Sequence, residues 1–165
     1  MNSTPASKPA SGSRSELVRW MSLVDANSAG FVHGGVVMKL CDEAAGVAAV
    51  RHSGTRVVTA GMDRMTFLEP VHVGELLTCA ATVNAAWRTS MEVGVRVEAE
   101  NPRSGERRHT STAYLTMVAV GEGGDPIPVP PLGASSDDER RRQREAEVRR
   151  RNRLAEREEI KRERS

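Results

Sequence analysis

The stretch from residue 25 to residue 50 holds the polar groups of this sequence that are best placed to do chemistry. Asn27 lies in a loop that ends in Gly34 and Gly35, and Asp42 lies in the apolar run that follows. A helix that starts at the glycines would direct free N–H groups and its positive dipole end at a carbonyl oxygen that gains negative charge. A carboxylate inside an apolar helix is costly unless it is hydrogen-bonded or used. Together these groups suggest attack by water on an activated acyl group.

Each of these residues also has an ordinary structural explanation. An aspartate in a helix commonly faces solvent or pairs with a lysine, and Asn27 can cap or brace its own loop. Glycine pairs are common wherever a chain turns sharply. Only the combination of the groups favours catalysis over these alternatives.

The apolar run predicts one long helix from about residue 35 to residue 52, buried on most of its circumference. Its apolar side chains recur at helical spacing and are Val37, Leu40, Cys41, Ala44, Ala45, Ala48 and Ala49. The chain has two cysteines, Cys41 and Cys79, and no metal-ligand spacing surrounds them. We therefore expect both to be small core residues in a reducing compartment, and we expect no metal site.

The remaining pattern predicts strands. They are expected at residues 15–23, 57–67, 76–87, 91–100 and 108–120. Because no helices alternate with these strands, an antiparallel sheet wrapped around one long central helix is the simplest packing, and the fold class is α+β. One helix cannot cover both faces of such a sheet, so we expect the chain to form an oligomer.

The two ends of the chain differ in composition from its middle. Residues 1–13 are rich in Ser, Pro and Ala without an apolar run, which predicts a disordered N-terminal arm. Residues 14–132 are expected to form the folded domain, and residues 133–165 a charged C-terminal helical tail. The sequence contains no signal-peptide core and no apolar span long enough for a membrane helix. We therefore expect a cytoplasmic protein that does not bind membranes.

The tail is dominated by charge. From Asp137 onward it carries twelve Lys or Arg and nine acids, whereas the rest of the chain carries twelve and thirteen. Charges at helical spacing, such as Glu145 and Arg149, predict an exposed helix that is dispensable for the chemical step. The mixture of signs and the absence of aromatic residues from the tail argue against nucleic-acid binding.

Four segments in the same order carry a resemblance to a known family. They read HGGVVMKLCDEAAGVAAVRH, VVTAGMDRMTF, RTSMEVGVRVEAE and IPVPPL, the last before a charged helix. Over residues 15–132 the chain resembles the hotdog-fold acyl-CoA thioesterases of the cytosolic acyl-CoA hydrolase group. The resemblance implies a hotdog fold, assembly as dimers or as a trimer of dimers, and hydrolysis of acyl-CoA to a carboxylic acid and CoA.

The resemblance also implies roles for individual residues. The essential asparagine and aspartate of the family correspond to Asn27 and Asp42, which would come from different subunits because the family's site lies at a dimer interface. Asp42 would act as general base on water or as nucleophile through an anhydride, and the sequence does not separate the two. Gly34 and Gly35 would offer backbone donors to the thioester oxygen.

A further set of residues is expected to line the substrate site. Arg88, Thr89 and Ser90 lie in a turn where relatives contact the nucleotide part of CoA, and Arg88 could pair with a phosphate. His33 belongs to this set, with a structural role favoured over that of a base. CoA is part of the substrate, so no metal or bound organic cofactor is expected.

Two other functions remain open from the sequence. A hotdog dehydratase would also use a buried acid or histidine near a helix, and His33 rather than Asp42 would then be indispensable. A noncatalytic acyl-CoA-binding module would keep the contacts to CoA and lose turnover.

Overall fold

The structure, a computed structural model, describes residues 6–164 of the chain. The strands are β1 (Lys8–Pro9), β2 (Ser15–Trp20), β3 (Arg56–Met62), β4 (Thr66–Phe67), β5 (Leu76–Ala86), β6 (Ser90–Glu100), β7 (Arg107–Val120) and β8 (Leu132–Gly133). The helices are α1 (Gly34–Ser53) and α2 (Asp137–Glu163), with short 3-10 turns at Ala10–Ser13 and Leu23–Asp25. No helix in residues 6–164 is long and apolar enough to cross a membrane.

One antiparallel sheet forms the body of the fold. Its strands run in the order β2-β5-β6-β7-β3, β4 pairs with β7, and α1 contacts all five strands of the main order. The predicted α+β architecture of a sheet around one long helix is therefore confirmed. The single strand predicted for residues 57–67 is two strands, because a bulge between Thr59 and Gly61 shifts the pairing with β7 and residues 63–65 leave the sheet.

The central helix begins and ends at specific local signals. His33 caps its N-terminus, and Gly54 ends it with φ of 72°, a left-handed conformation that glycine adopts without strain. Its small residues pack on the sheet, but Met38, Val47 and Val50 are exposed. The expectation that most of the circumference is buried is wrong for the single chain, because the sheet covers only one side of the helix.

The alternation predicted for residues 91–100 is confirmed in β6 except at one position. Met91, Val93, Val95, Val97 and Ala99 are completely buried under α1 and the sheet. Glu92, expected to face water, is also completely buried. The reason is that α2 lies on the outer face of the sheet.

The helix predicted for the tail is confirmed as α2, but the prediction that it is exposed is wrong for the face that packs on the sheet. Ala146 is completely buried where α2 packs, and Arg149 binds Glu92 with its Nη2 2.6 Å from Oε1. Arg153 binds Asp63 at the end of β3, with Nη1 and Oδ2 2.8 Å apart. The sequence of α2 lacks a regular row of apolar residues. Long arginine side chains that reach the sheet hold the helix there instead.

Part of the predicted disordered arm is ordered in the structure. β1 pairs in parallel with β8, Ala10 and Ser13 are buried, and Ser13 Oγ accepts a 3.0 Å hydrogen bond from Val83 N. The prediction of disorder is therefore wrong for residues 8–13, where small side chains fit closely against β5 without needing an apolar run. Residues 1–5 lie outside the described part of the chain.

Candidate active site

Asp42 lies two turns into α1, at the border between its buried and exposed sides. Cys41 before it and Ala44 after it are completely buried, whereas Glu43 is exposed. Asp42 Oδ1 accepts a 2.5 Å hydrogen bond from Thr59 Oγ1 on β3. The carboxylate is therefore fixed through one oxygen, and Oδ2 remains for another partner.

Sequence reasoning missed Thr59. It lies at the bulge of β3, and β3 is an edge strand of the sheet in this chain. A bulge commonly redirects a side chain at a functional site, and a glycine inside a strand, here Gly61, often marks one. The hydrogen bond between Thr59 and Asp42 joins β3 to α1, so no pattern among neighbouring residues of the sequence predicts it.

Asn27 is built into a tight loop. Its Oδ1 accepts hydrogen bonds from the backbone N–H groups of Ala29 at 2.9 Å and Phe31 at 3.2 Å. Its own backbone N–H donates to Phe31 O at 2.7 Å, and its carbonyl accepts from Gly30 N at 3.0 Å. Asn27 therefore braces its loop through Oδ1, and within residues 6–164 no hydrogen bond engages its Nδ2. The Nδ2 donors are the part of this side chain that a substrate can contact.

The start of α1 carries the predicted glycine pair. His33 Nδ1 accepts a 3.1 Å hydrogen bond from Gly35 N, so one of the two expected backbone donors already has a partner in the chain. At Gly34 an added Cβ would lie 3.4 Å from the Phe67 ring, which is ordinary van der Waals contact, so the start of α1 packs beside that aromatic side chain. The cap supports the structural role that was favoured for His33, and within residues 6–164 no hydrogen bond engages the Gly34 N–H.

The turn of Arg88, Thr89 and Ser90 lies between β5 and β6. Backbone hydrogen bonds hold it: Val129 N donates to Arg88 O and Ala119 N donates to Thr89 O, both at 3.0 Å. The Arg88 side chain is exposed. Ser90 lines an open cavity of about 310 Å³. Its other lining residues include Trp87 from the turn, Gly61 from β3, and Arg150, Arg153 and Arg157 from α2.

The structure joins some of the predicted site residues and leaves others apart. His33 is hydrogen-bonded to Gly35, and Asp42 is hydrogen-bonded to Thr59, which was not predicted. Among the described residues no hydrogen bond links Asn27 to Asp42. Beside Asp42, the exposed side of α1 presents the apolar residues Met38, Val47 and Val50, and β3 adds Val58. An exposed apolar face next to a free strand edge is typical of an interface with another subunit.

Comparison with known proteins identifies the family. A sequence model described as the thioesterase superfamily matches residues 29–106. A solved apo hexameric acyl-CoA thioesterase is 38% identical, with a TM-score of 0.88 over 92% of this chain and 97% of that chain. The chain belongs to the hotdog-fold acyl-CoA thioesterases. The recognition made from the sequence segments is thus confirmed.

Two further members of the family are informative. The cytosolic acyl coenzyme A thioester hydrolase of Rattus norvegicus is 37% identical over 130 residues, which are 78% of this chain but only 34% of the rat protein. An acyl-CoA hydrolase of Staphylococcus aureus, solved with butyryl coenzyme A, coenzyme A and coenzyme A disulfide, is 33% identical with a TM-score of 0.86 and 94% coverage of both chains. It has also been solved with an asparagine, an aspartate or a threonine replaced by alanine, at positions fifteen and seventeen residues apart.

Proposed function

We propose that this chain hydrolyses acyl-CoA thioesters to a carboxylic acid and CoA. The observation that carries the proposal is the hydrogen bond between Asp42 and Thr59, on a fold shared with acyl-CoA thioesterases. Asn27, Asp42 and Thr59 are separated by fifteen and seventeen residues. The alanine-substituted asparagine, aspartate and threonine of the S. aureus hydrolase have the same spacing, which supports equivalent positions here.

In the proposed reaction Asp42 removes a proton from water. Thr59 donates to Oδ1 and holds the carboxylate in place, so Oδ2 can accept that proton while the water oxygen bonds to the thioester carbon. The tetrahedral intermediate then expels the CoA thiolate, which takes the proton from Asp42. In the alternative, Oδ2 attacks the thioester carbon directly and expels the CoA thiolate to give an anhydride, which water then hydrolyses; Thr59 would orient the carboxylate in either case.

The negative oxygen of the intermediate needs hydrogen-bond donors. Asn27 Nδ2 and the Gly34 N–H are suited to that role, since Asn27 Oδ1 and Gly35 N–H are engaged within the chain. One such donor contributes roughly 3 kcal/mol to the transition state in other oxyanion sites. Asn27 and the helix start therefore complement the base.

We propose that each site combines two subunits. Asn27 and Asp42 are held by separate elements with no contact between them, and the apolar face beside Asp42 is exposed in the single chain. A related thioesterase is described as hexameric. A dimer of this chain that buries that face would pair Asn27 of one subunit with Asp42 of the other, giving two equivalent sites, and three dimers would form the hexamer.

The remaining site residues are assigned to CoA. The exposed Arg88, with Thr89 and Ser90, lies where a phosphate or ribose of the nucleotide could bind. No step of this reaction requires a metal or a bound organic cofactor. The cytosolic relative supports a cytoplasmic location.

A free-thiol assay on acyl-CoAs of increasing chain length tests the proposed function. We expect the wild-type protein to release many equivalents of CoA per subunit. With a 2-enoyl-CoA as substrate we expect hydrolysis of the thioester and no hydration of the double bond. CoA binding without thiol release would instead identify a binding module, and hydration of the enoyl group a dehydratase.

A further inference from the structure

Asp25 lies two residues before Asn27 and has an almost completely buried carboxylate. Oδ1 accepts a 2.5 Å hydrogen bond from Arg19 Nη2 on β2. Oδ2 accepts from Ser22 N at 2.8 Å and from Ser22 Oγ at 3.2 Å, and the Asp25 carbonyl accepts from His33 N at 2.7 Å. One residue therefore ties together the end of β2, the loop of Asn27 and the residue that caps α1.

The cost of burying this carboxylate indicates that the arrangement matters. The Asp25 side chain is only 3% exposed, and a buried charge is tolerated only when it is paired and hydrogen-bonded. Both carboxylate oxygens meet this requirement. Oδ1 binds Arg19 on β2, and Oδ2 binds Ser22 at the start of the loop of residues 22–33. The same loop contains the Ala26–Val32 bridge, which brings its two arms together around Asn27.

Apolar packing within the chain holds the end of this loop, where Val32 joins the core, but not its beginning. Leu23 and Val24, which directly precede Asp25, are 82% and 87% exposed. The order of residues 22–26 in a single subunit therefore depends mainly on polar contacts, and those of Asp25 are central to them. A loss of those contacts would displace Asn27 and the His33 cap together.

We propose that Asp25, paired with Arg19, is a positioning residue for hydrolysis. It sets the place of the Asn27 carboxamide and of the start of α1, and it does not contact the substrate. This inference rests on the proposed function. Small displacements of a donor in a transition state lower turnover much more than they weaken ground-state binding, so the effect should fall on kcat.

The test uses Asp25→Asn, which keeps the shape and an acceptor for Ser22 but removes the charge that binds Arg19. We expect kcat for acyl-CoA hydrolysis to fall about tenfold with KM within about threefold, in a protein that elutes as the wild-type oligomer. Arg19→Met should lower kcat in the same direction, whereas Arg19→Lys keeps a cation and should restore most of it. Glu16→Gln removes an exposed carboxylate of the same strand and serves as the matched control.

The outcomes separate this inference from the proposed function. Absence of thiol release by wild type would overturn the proposed function. Full kcat in assembled Asp25→Asn, or a fall that only matches the loss of assembled protein, would overturn the positioning role. If Asp25→Asn does not fold, Arg19→Met serves as the second test, because Arg19 is 41% exposed and its replacement leaves less of the core disturbed. An unchanged kcat in Arg19→Met would contradict the proposal.

Discussion

Arg149 of α2 binds both carboxylate oxygens of Glu92, a completely buried residue of β6. Arg149 Nη2 lies 2.6 Å from Oε1, and its Nε lies 3.1 Å from each oxygen. The guanidinium also stacks 3.7 Å from the centre of the Tyr114 ring, and Asn84 Nδ2 donates to Oε1 at 3.2 Å. This pair joins the C-terminal helix to the outer face of the sheet.

Replacing Arg149 by methionine should strongly destabilise the protein. The substitution leaves the Glu92 carboxylate buried without its main cation, and loss of one partner of a buried pair costs about 3–5 kcal/mol. Chemical denaturation at a fixed subunit concentration measures the change. Arg151→Met, an exposed arginine of the same helix, should change the free energy of unfolding by less than about 0.5 kcal/mol. Equal stability of the two variants would contradict the role of the pair.

Thr59→Val should lower turnover without weakening substrate binding. Valine has nearly the shape of threonine but cannot donate to Asp42 Oδ1, so the carboxylate loses its orientation. We expect kcat to fall about tenfold with little change in KM, and Thr59→Ser to stay within about threefold of wild type. Thr66→Val, at an exposed position of β4, is the control. Similar kcat values for Thr59→Val and Thr59→Ser would show that the hydroxyl has no part in the reaction.

His52 should make the fold sensitive to mild acid. Burial lowers the pKa of His52 below its ordinary value of 6.5, with a smaller effect from the Lys8 ammonium, while a hydrogen bond to Pro130 O opposes the shift. The ring is 1% exposed and its Nδ1 has no hydrogen-bond partner. The pKa of His52 is lower in the folded state than in the unfolded state. The stability that depends on a neutral His52 is therefore complete above about pH 6.5 and is lost as the pH falls below that value.

The measurement is the free energy of unfolding between about pH 7.5 and 5, above the range of most carboxylates. We expect His52→Gln, which can still donate to Pro130 O, to lose less stability on acidification than wild type. His72→Gln removes an exposed histidine and should follow the wild-type curve. Parallel curves for wild type and His52→Gln would exclude His52 as the source of the pH dependence.

Mixing two inactive variants tests the shared site. If Asn27 and Asp42 of one site come from different subunits, a dimer of Asn27→Ala with Asp42→Asn has one doubly damaged site and one intact site. Random exchange in an equal mixture should then restore about a quarter of wild-type activity, because half of the dimers are mixed. Verified exchange of subunits without recovery would show that both residues act within one chain.

The local parts of the fold could be predicted from the sequence. The spacing of small residues gave α1 nearly to its observed ends at Gly34 and Ser53, and alternation gave β6. Asn27 and Asp42 were visible as candidates because each is a polar residue in a recognisable local context. Such features depend on neighbours within a few positions along the chain.

Contacts between distant elements could not be predicted. Thr59 meets Asp42 across a strand and a helix, and Glu92 is buried only because α2 folds back over the sheet. In the sequence Glu92 is one of several alternating charges, and Arg149 one of many arginines. Nothing in their local pattern distinguishes the buried pair from the solvated charges around it.

The most direct test of the account is the turnover of Asp42→Asn. Asparagine keeps the size of the side chain and an acceptor for Thr59 but cannot take a proton from water or attack the thioester. We predict that kcat falls at least about 100-fold in a protein that assembles normally, while Glu43→Gln at the adjacent exposed position remains near wild type. Turnover of assembled Asp42→Asn close to that of wild type would contradict the proposed mechanism.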